Sequence, residues 1–251
     1  MSITIEVCVD SLSGAVLAQS LGADRLELCA NLSIGGTTPS AGLLRKVRQA
    51  VELPIHVLIR PRGGDFLYTE DEVATMLADI AFAKAEGADG IVCGALTPQG
   101  RIDLDINRQL IQEARPLPFT FHRAFDHCTE LMIALSQLQS LGVNHLLTSG
   151  QAASVDLGMS VLKALQEKRR GIQIMLGGGI SPENVTNILD KLHPVEIHFS
   201  GTRSVESKME SVSAVLMGKS DSSAKKLITD PVRLGALINI VRHWDQTQIE
   251  G

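Results

Sequence analysis

The sequence lacks most of the features that announce a function. Its 251 residues include four cysteines, one tryptophan and one tyrosine. Four cysteines are too few for a disulfide framework, so Cys8, Cys29, Cys93 and Cys128 are expected to be thiols in a reducing compartment. There is no Cys-x-x-Cys, no His-x-His and no methionine cluster, the short-range devices that usually mark a metal site. Positive charge is also in short supply: 23 Lys and Arg face 28 Asp and Glu, a net charge of −5. That balance argues against nucleic acid or an anionic membrane as main partner, while leaving room for a local basic pocket. No apolar run approaches the roughly 20 residues needed to span a bilayer. The opening residues, Met1-Ser2-Ile3-Thr4-Ile5-Glu6, enter a strand pattern without a charged-then-apolar leader. A cytoplasmic protein is expected.

What is present is alternation. Apolar residues make up 44% of the chain, enough for a sizeable core. Short β-branched runs at Ile3–Val9, Asp24–Cys29, Ile55–Arg60, Asp89–Gly94, Phe119–Arg123, Asn144–Ser149, Ile172–Gly177 and Val195–Ser200 read as strands. Between them, segments such as Glu70–Glu86, Glu130–Leu141, Ser154–Lys168 and Pro182–Leu192 carry apolar residues at helical spacing. Such alternation implies parallel strands, because each crossover helix returns the chain to the same end of the sheet. Three joints share one pattern: Gly22-Ala23-Asp24, Gly87-Ala88-Asp89 and Gly142-Val143-Asn144. In each, a glycine can end the helix in the left-handed conformation before the next strand. The joints precede the second, fourth and sixth strands, so the chain looks built from two-strand units. The expectation is an α/β fold, a single (β/α)8 TIM-type barrel over residues 1–251, with an open doubly wound sheet as the rival. Ser204–Thr229, rich in Ser and Lys, breaks the pattern and reads as a mobile loop with one short helix. A final helix from about Pro231 to Trp244 follows it.

Strand side chains alternate between two faces. Ile3, Ile5 and Val7 oppose Thr4, Glu6 and Cys8; Leu26 and Leu28 oppose Arg25, Glu27 and Cys29; Ile197 and Phe199 oppose Glu196, His198 and Ser200. The purely apolar set must meet the helices, so the mixed set faces the barrel axis. Glu6, Glu27, Arg60, His122 and His198 are therefore expected near the C-terminal ends of the strands, where an ordinary barrel would hold branched aliphatics. Burying so many ionisable groups is costly unless they pair or bind something. A self-satisfied Glu/Arg network is one reading. A polar ligand site is the preferred one, because polar groups at that end usually serve a site.

Several motifs at the strand ends resemble the CutC family, named for copper homeostasis. They are Glu6-Val7-Cys8, Arg25-Leu26-Glu27-Leu28-Cys29, Ile59-Arg60-Pro61-Arg62-Gly63-Gly64-Asp65-Phe66, Phe121-His122-Arg123-Ala124-Phe125-Asp126, Leu147-Thr148-Ser149-Gly150, Gly177-Gly178-Gly179-Ile180 and His198-Phe199-Ser200-Gly201. The resemblance implies a (β/α) barrel, a cytoplasmic protein, a homodimer and an association with copper handling.

Two functions from different classes follow. Soft thiolates favour Cu(I), and Cys8 and Cys29 occupy matching Glu-x-Cys positions on consecutive strands. Neighbouring strands, about 4.8 Å apart, would let the two sulfurs share one ion, with Cys128 or His198 as a third ligand. The alternative is an enzyme, or former enzyme, acting on a small anionic or phosphorylated metabolite. Gly178, Gly179, Gly201, Thr202 and Arg203 would hold the anion, with Ser181 capping the helix that follows. Arg60 and Arg62 would neutralise a second acidic group, and Glu6, Glu27 or His122 would move the proton. No lysine sits near the end of a predicted strand, which argues against Schiff-base chemistry. Tyr68 is read as a cover for the barrel mouth and Trp244 as a packing anchor of the last helix.

Overall fold

The structure, a computed structural model, describes residues 2–210 and 225–250. Eight parallel strands close into a barrel in sequence order: β1 (Thr4–Val9), β2 (Arg25–Leu28), β3 (Ile55–Leu58), β4 (Gly90–Cys93), β5 (Phe119–Phe121), β6 (His145–Thr148), β7 (Gln173–Gly177) and β8 (Glu196–Phe199), which returns to β1. Around them lie α1 (Leu12–Ser20), α2 (Ala41–Ala50), α3 (Glu70–Ala85), α4 (Leu104–Ala114), α5 (Leu131–Leu141), α6 (Val155–Lys168), α7 (Val185–Leu192) and α8 (Pro231–Glu250). Closure excludes the open-sheet rival.

The helices start where local chemistry allows. Ser11, Ser40 and Asp103 side chains accept backbone N–H groups in the first turns of α1, α2 and α4. Thr69 and Glu72 form a complete capping box on α3. The apolar strand faces pack outward as expected: Ile5, Val7, Leu26, Leu28, Phe121 and Ile197 are fully buried against the helices.

The three repeated joints carry more than a helix stop. Gly22, Gly87 and Gly142 do adopt positive φ (91°, 85° and 77°). The polar residue two positions later then pins the preceding strand of its unit. Asp24 accepts the Ile5 N–H at 2.7 Å, Asp89 the Ile55 N–H at 2.8 Å and Asn144 the Phe119 N–H at 2.8 Å. Each joint thereby sets the stagger of β1 on β2, β3 on β4 and β5 on β6, which is why glycine and Asp or Asn recur together.

The stretch after β8 differs from the sequence-based expectation. Thr202–Glu206 (β9) and Lys225–Thr229 (β10) form an antiparallel pair, a two-stranded strap separate from the barrel sheet whose ladder bonds join the two ends of the excursion. The short helix expected within Ser204–Thr229 is not found among the described residues, and 211–224 lie outside them. Asp230 then accepts the backbone N–H groups of Val232 and Arg233 and starts α8. At the far end of α8, Asp245 accepts the Ile3 N–H at 3.0 Å, and Trp244 donates to Asp190 at 2.7 Å beside the His193 ring.

Candidate functional site at the barrel mouth

The lower half of the axis is a self-paired ionic network. Glu6 is fully buried; it accepts from Arg25 Nε at 2.5 Å and from His198 Nδ1 at 2.8 Å, with His56 Nδ1 at 3.8 Å. Arg25 reaches on to Glu196 at 3.6 Å, and Glu196 pairs with His145 at 2.9 Å. Burial alone would lift the Glu6 pKa, but Arg25 and His198 outweigh it and hold the carboxyl far below its usual range. His198 is also desolvated, yet Glu27 and Glu6 raise its pKa. His56 has no comparably close partner, and burial pushes it down to about 4. Glu6, a candidate acid or base from sequence, is thus locked as a carboxylate. Arg25, absent from the sequence-derived site, is what locks it.

One layer nearer the mouth lie Cys8, Glu27 and His198, whose ligand atoms all fall within 4.8 Å of one another. The two Glu-x-Cys motifs are not level. Stagger between β1 and β2 sets Glu6 opposite Arg25 and Cys8 opposite Glu27. The glutamates therefore separate in depth, while Cys8 and Cys29 meet across the strands with sulfurs 3.7 Å apart. The hydrogen bond with Cys29, burial and the neighbouring Glu27 charge together push the Cys8 thiol well up. Burial raises Glu27, opposed by His198. Of the expected third ligands, His198 belongs to this group and Cys128 does not; Cys128 is buried with its sulfur 3.9 Å from the Ala124 carbonyl.

Above this layer opens a cavity of about 460 Å³, lined by Cys8, Glu27, His198, Arg60, His122, Arg123, Phe66, Ile34 and the Gly178-Gly179-Ile180 turn among others. Arg60 is 6% exposed and fastens two loops, donating to the carbonyls of Ile34 and Gly36 at 2.9 Å and of Gly64 at 2.8 Å. Its Nε has no partner. His122 accepts the Ala124 N–H on Nδ1 at 3.3 Å, and its buried Nε2 is likewise unpartnered. Burial and the Arg60 charge lower the His122 pKa to about 3, so the ring is neutral. With Nδ1 accepting, the proton sits on Nε2.

The remaining expected anion ligands divide. Gly178 and Gly179 line the cavity, whereas Gly201, Thr202 and Arg203 do not. Gly201 is packed against Leu234, and Arg203 is bound to Asp230 in the β9–β10 strap. Arg62 also stands outside, paired with Glu72 at 2.5 Å and Asp65 at 3.1 Å. Ser181 does not cap α7 through its side chain; its N–H is taken by Asn184 Oδ1 at 2.8 Å and the helix body begins at Val185. Tyr68 is buried beneath Arg62, and Phe66 and Phe199, not Tyr68, line the cavity.

Arg123, like Arg25, is a site residue to which the sequence assigns no role. Its Nε donates to Asp126 at 2.8 Å and its Nη2 to Ser149 at 2.8 Å. Asp126 is itself held by Thr148 Oγ1 at 2.5 Å and by the Ser149 and Gln151 N–H groups at 3.1 Å. The Arg and Asp three residues apart just after a strand were the available clue; their joint anchorage on β6 was not visible in sequence.

A closed (β/α)8 barrel, with a polar cavity where its strands end and Cys8 of a buried thiol pair in that cavity's lining, defines the class of protein. The CutC family model matches residues 3–203, and the chain belongs to the CutC family. A Homo sapiens relative named copper homeostasis protein cutC homolog is 46% identical over 243 residues, covering 95% of this chain and 89% of its own. A CutC family protein from Glaesserella parasuis is 40% identical over 238 residues, covering 94% and 98%. Among solved structures, the putative copper homeostasis protein CutC from Streptococcus agalactiae superposes with a TM-score of 0.75 at 33% identity, over 79% of this chain and 98% of that one. Phosphoribosyl anthranilate isomerase from Thermotoga maritima reaches 0.59 at 11% identity, a likeness of fold alone.

Proposed function

We propose that this protein binds Cu(I) through Cys8 and Cys29 as a reduced, cytosolic component of copper homeostasis, the role that its relatives' names carry. The supporting observation is the 3.7 Å separation of two buried sulfurs contributed by adjacent strands. At metal–thiolate bond lengths of about 2.3 Å, one ion can touch both without either strand moving. A linear pair would need about 4.6 Å at those bond lengths, so the shorter gap calls for a third donor. His198 is the nearest candidate: its ligand atom lies within 4.8 Å of those of Cys8 and Glu27. Nδ1 is turned to Glu6 at 2.8 Å, the carboxylate–imidazole arrangement that orients metal-ligating histidines, and Nε2 faces Glu27 at 3.6 Å. Cys29 joins the group through Cys8.

Loading this site is a proton-releasing event. Cys29, burial and Glu27 raise the Cys8 pKa, and Glu27 and Glu6, against burial, raise that of His198, so both groups bind their protons more tightly than free side chains do. Those protons must leave before the groups can ligate, and Glu27, with its raised pKa, is the adjacent acceptor. Cu(I) affinity is therefore expected to rise with pH.

The test is an anaerobic Cu(I) titration of the reduced protein against a competing chelator, beside the Cys8→Ser/Cys29→Ser variant. One equivalent retained by the parent and none by the variant, with both folded, is the expected result. Equal retention by the two proteins would refute the cysteine site.

A further inference from the structure

We infer that the mouth cavity is a binding site for a small organic phosphate monoester, whose phosphoryl group is held by Arg123 together with the backbone N–H groups of Gly178, Gly179 and Ile180. Four observations carry this beyond the copper site beneath it.

First, Arg123 is presented, not merely exposed. Asp126 and Ser149 take its Nε and Nη2 and fix the guanidinium plane, while Nη1 makes no hydrogen bond among the described residues. Second, that free edge lies beside the turn after β7. A Cβ placed on Gly178 would stand 3.2 Å from Arg123 Nη1, so only glycine lets the two come together. Gly178 and Gly179 take positive φ of 119° and 69°. The N–H groups of Gly178, Gly179 and Ile180 donate no hydrogen bond among the described residues. Consecutive free amides in such a turn form a concave nest for an anion.

Third, two buried donors on the cavity wall lack partners: Nε2 of His122, 5% exposed, and Nε of Arg60, 6% exposed. Buried donors are rarely left unmade, and a ligand with hydroxyl or carbonyl oxygens would satisfy both. Fourth, Ile34, Leu58, Phe66 and Ile180 give the cavity apolar walls around a body of a few carbons, and its volume of about 460 Å³ suits a small molecule. A guanidinium edge beside a run of three free amides suits a tetrahedral, multiply charged oxyanion better than a planar carboxylate, which one guanidinium edge would satisfy.

The probes are inorganic phosphate and glycerol 3-phosphate, with acetate at matched ionic strength, added to the full-length, reduced, metal-free protein. Binding is read from the backbone amide resonances of Gly178, Gly179 and Ile180. Both phosphates are expected to shift all three saturably, glycerol 3-phosphate the more tightly. Arg123→Gln should weaken binding about tenfold or more, the usual cost of losing a charge-assisted hydrogen bond, and Arg203→Gln should leave it unchanged. The parent's amide shifts stand even if Arg123→Gln fails to fold. The Cys8→Ser/Cys29→Ser variant should respond to phosphate like the parent, which separates this site from the copper reading. Absence of saturable shifts at these amides, or equal shifts with acetate, would overturn the inference.

Discussion

Replacing Arg25 by methionine tests whether the barrel axis is held by ions or merely contains them. Arg25 is 8% exposed and is the closest counter-charge to the fully buried Glu6, at 2.5 Å. Methionine keeps the length and the apolar stem but leaves Glu6 with the His198 imidazole as its one close counter-charge among the described residues. Removing one partner of a buried pair costs about 3–5 kcal/mol, because the remaining charge keeps its desolvation penalty. At roughly 2–4 °C per kcal/mol for a chain of this size, the midpoint should fall by about 6–20 °C. Adding Glu6→Gln removes the stranded charge, so the double variant should recover at least about 2 kcal/mol relative to the sum of the single losses. The sign with pH is also set. Without Arg25, burial raises the Glu6 pKa in the folded state above its unfolded value. The Arg25→Met deficit should then shrink as the pH falls from 7 towards 5. Urea unfolding of the four proteins of the cycle at both pH values measures all of this. An Arg25→Met loss below about 1 kcal/mol, additive with Glu6→Gln, would refute an ionised axis.

Two further predictions use the same assay. His122, neutral in the fold with a pKa near 3, refuses the proton that the unfolded chain accepts at about 6.5. Stability is therefore lost as pH falls below 6.5, by about 1.4 kcal/mol per pH unit from this residue. His122→Asn keeps an acceptor for the Ala124 N–H but cannot titrate, so between pH 6 and 5 its unfolding free energy should fall by that much less than the parent's; parallel slopes would sink the neutral-histidine reading. His56 and Glu27 titrate alike in both proteins and cancel in the comparison. Gly158 lies in α6 where a Cβ would come 1.9 Å from the Ser149 carbonyl oxygen. Gly158→Ala should cost about 1–3 kcal/mol by overpacking α6 on the loop that supports Arg123, and a parent-like urea midpoint would count against that close approach.

The sequence by itself determined what depends on neighbours along the chain. Strand alternation put Ile5, Val7, Leu26 and Leu28 against the helices and Glu6, Cys8, Glu27 and His198 on the axis, because period-two geometry is a property of the strand alone. Regular βα alternation gave eight parallel strands, whereas Ser181, expected to cap α7, does not, since that helix begins only at Val185. Only the tertiary structure decided which axial groups meet. The stagger of β1 on β2 sets Glu6 against Arg25 and Cys8 against Glu27, with the Cys29 sulfur meeting that of Cys8 diagonally, and no pattern within either strand contains that offset. The sequence points to Arg62 and Arg203 as anion ligands and assigns Arg123 no role, yet Arg62 turns to Glu72, Arg203 to Asp230, and Arg123 lines the cavity. Which way each points depends on acceptors brought from distant strands. Ser204–Thr229 read as loop because β9 and β10 become strands only through each other. Local propensity is written in the chain; partner choice at long range waits on closure of the barrel.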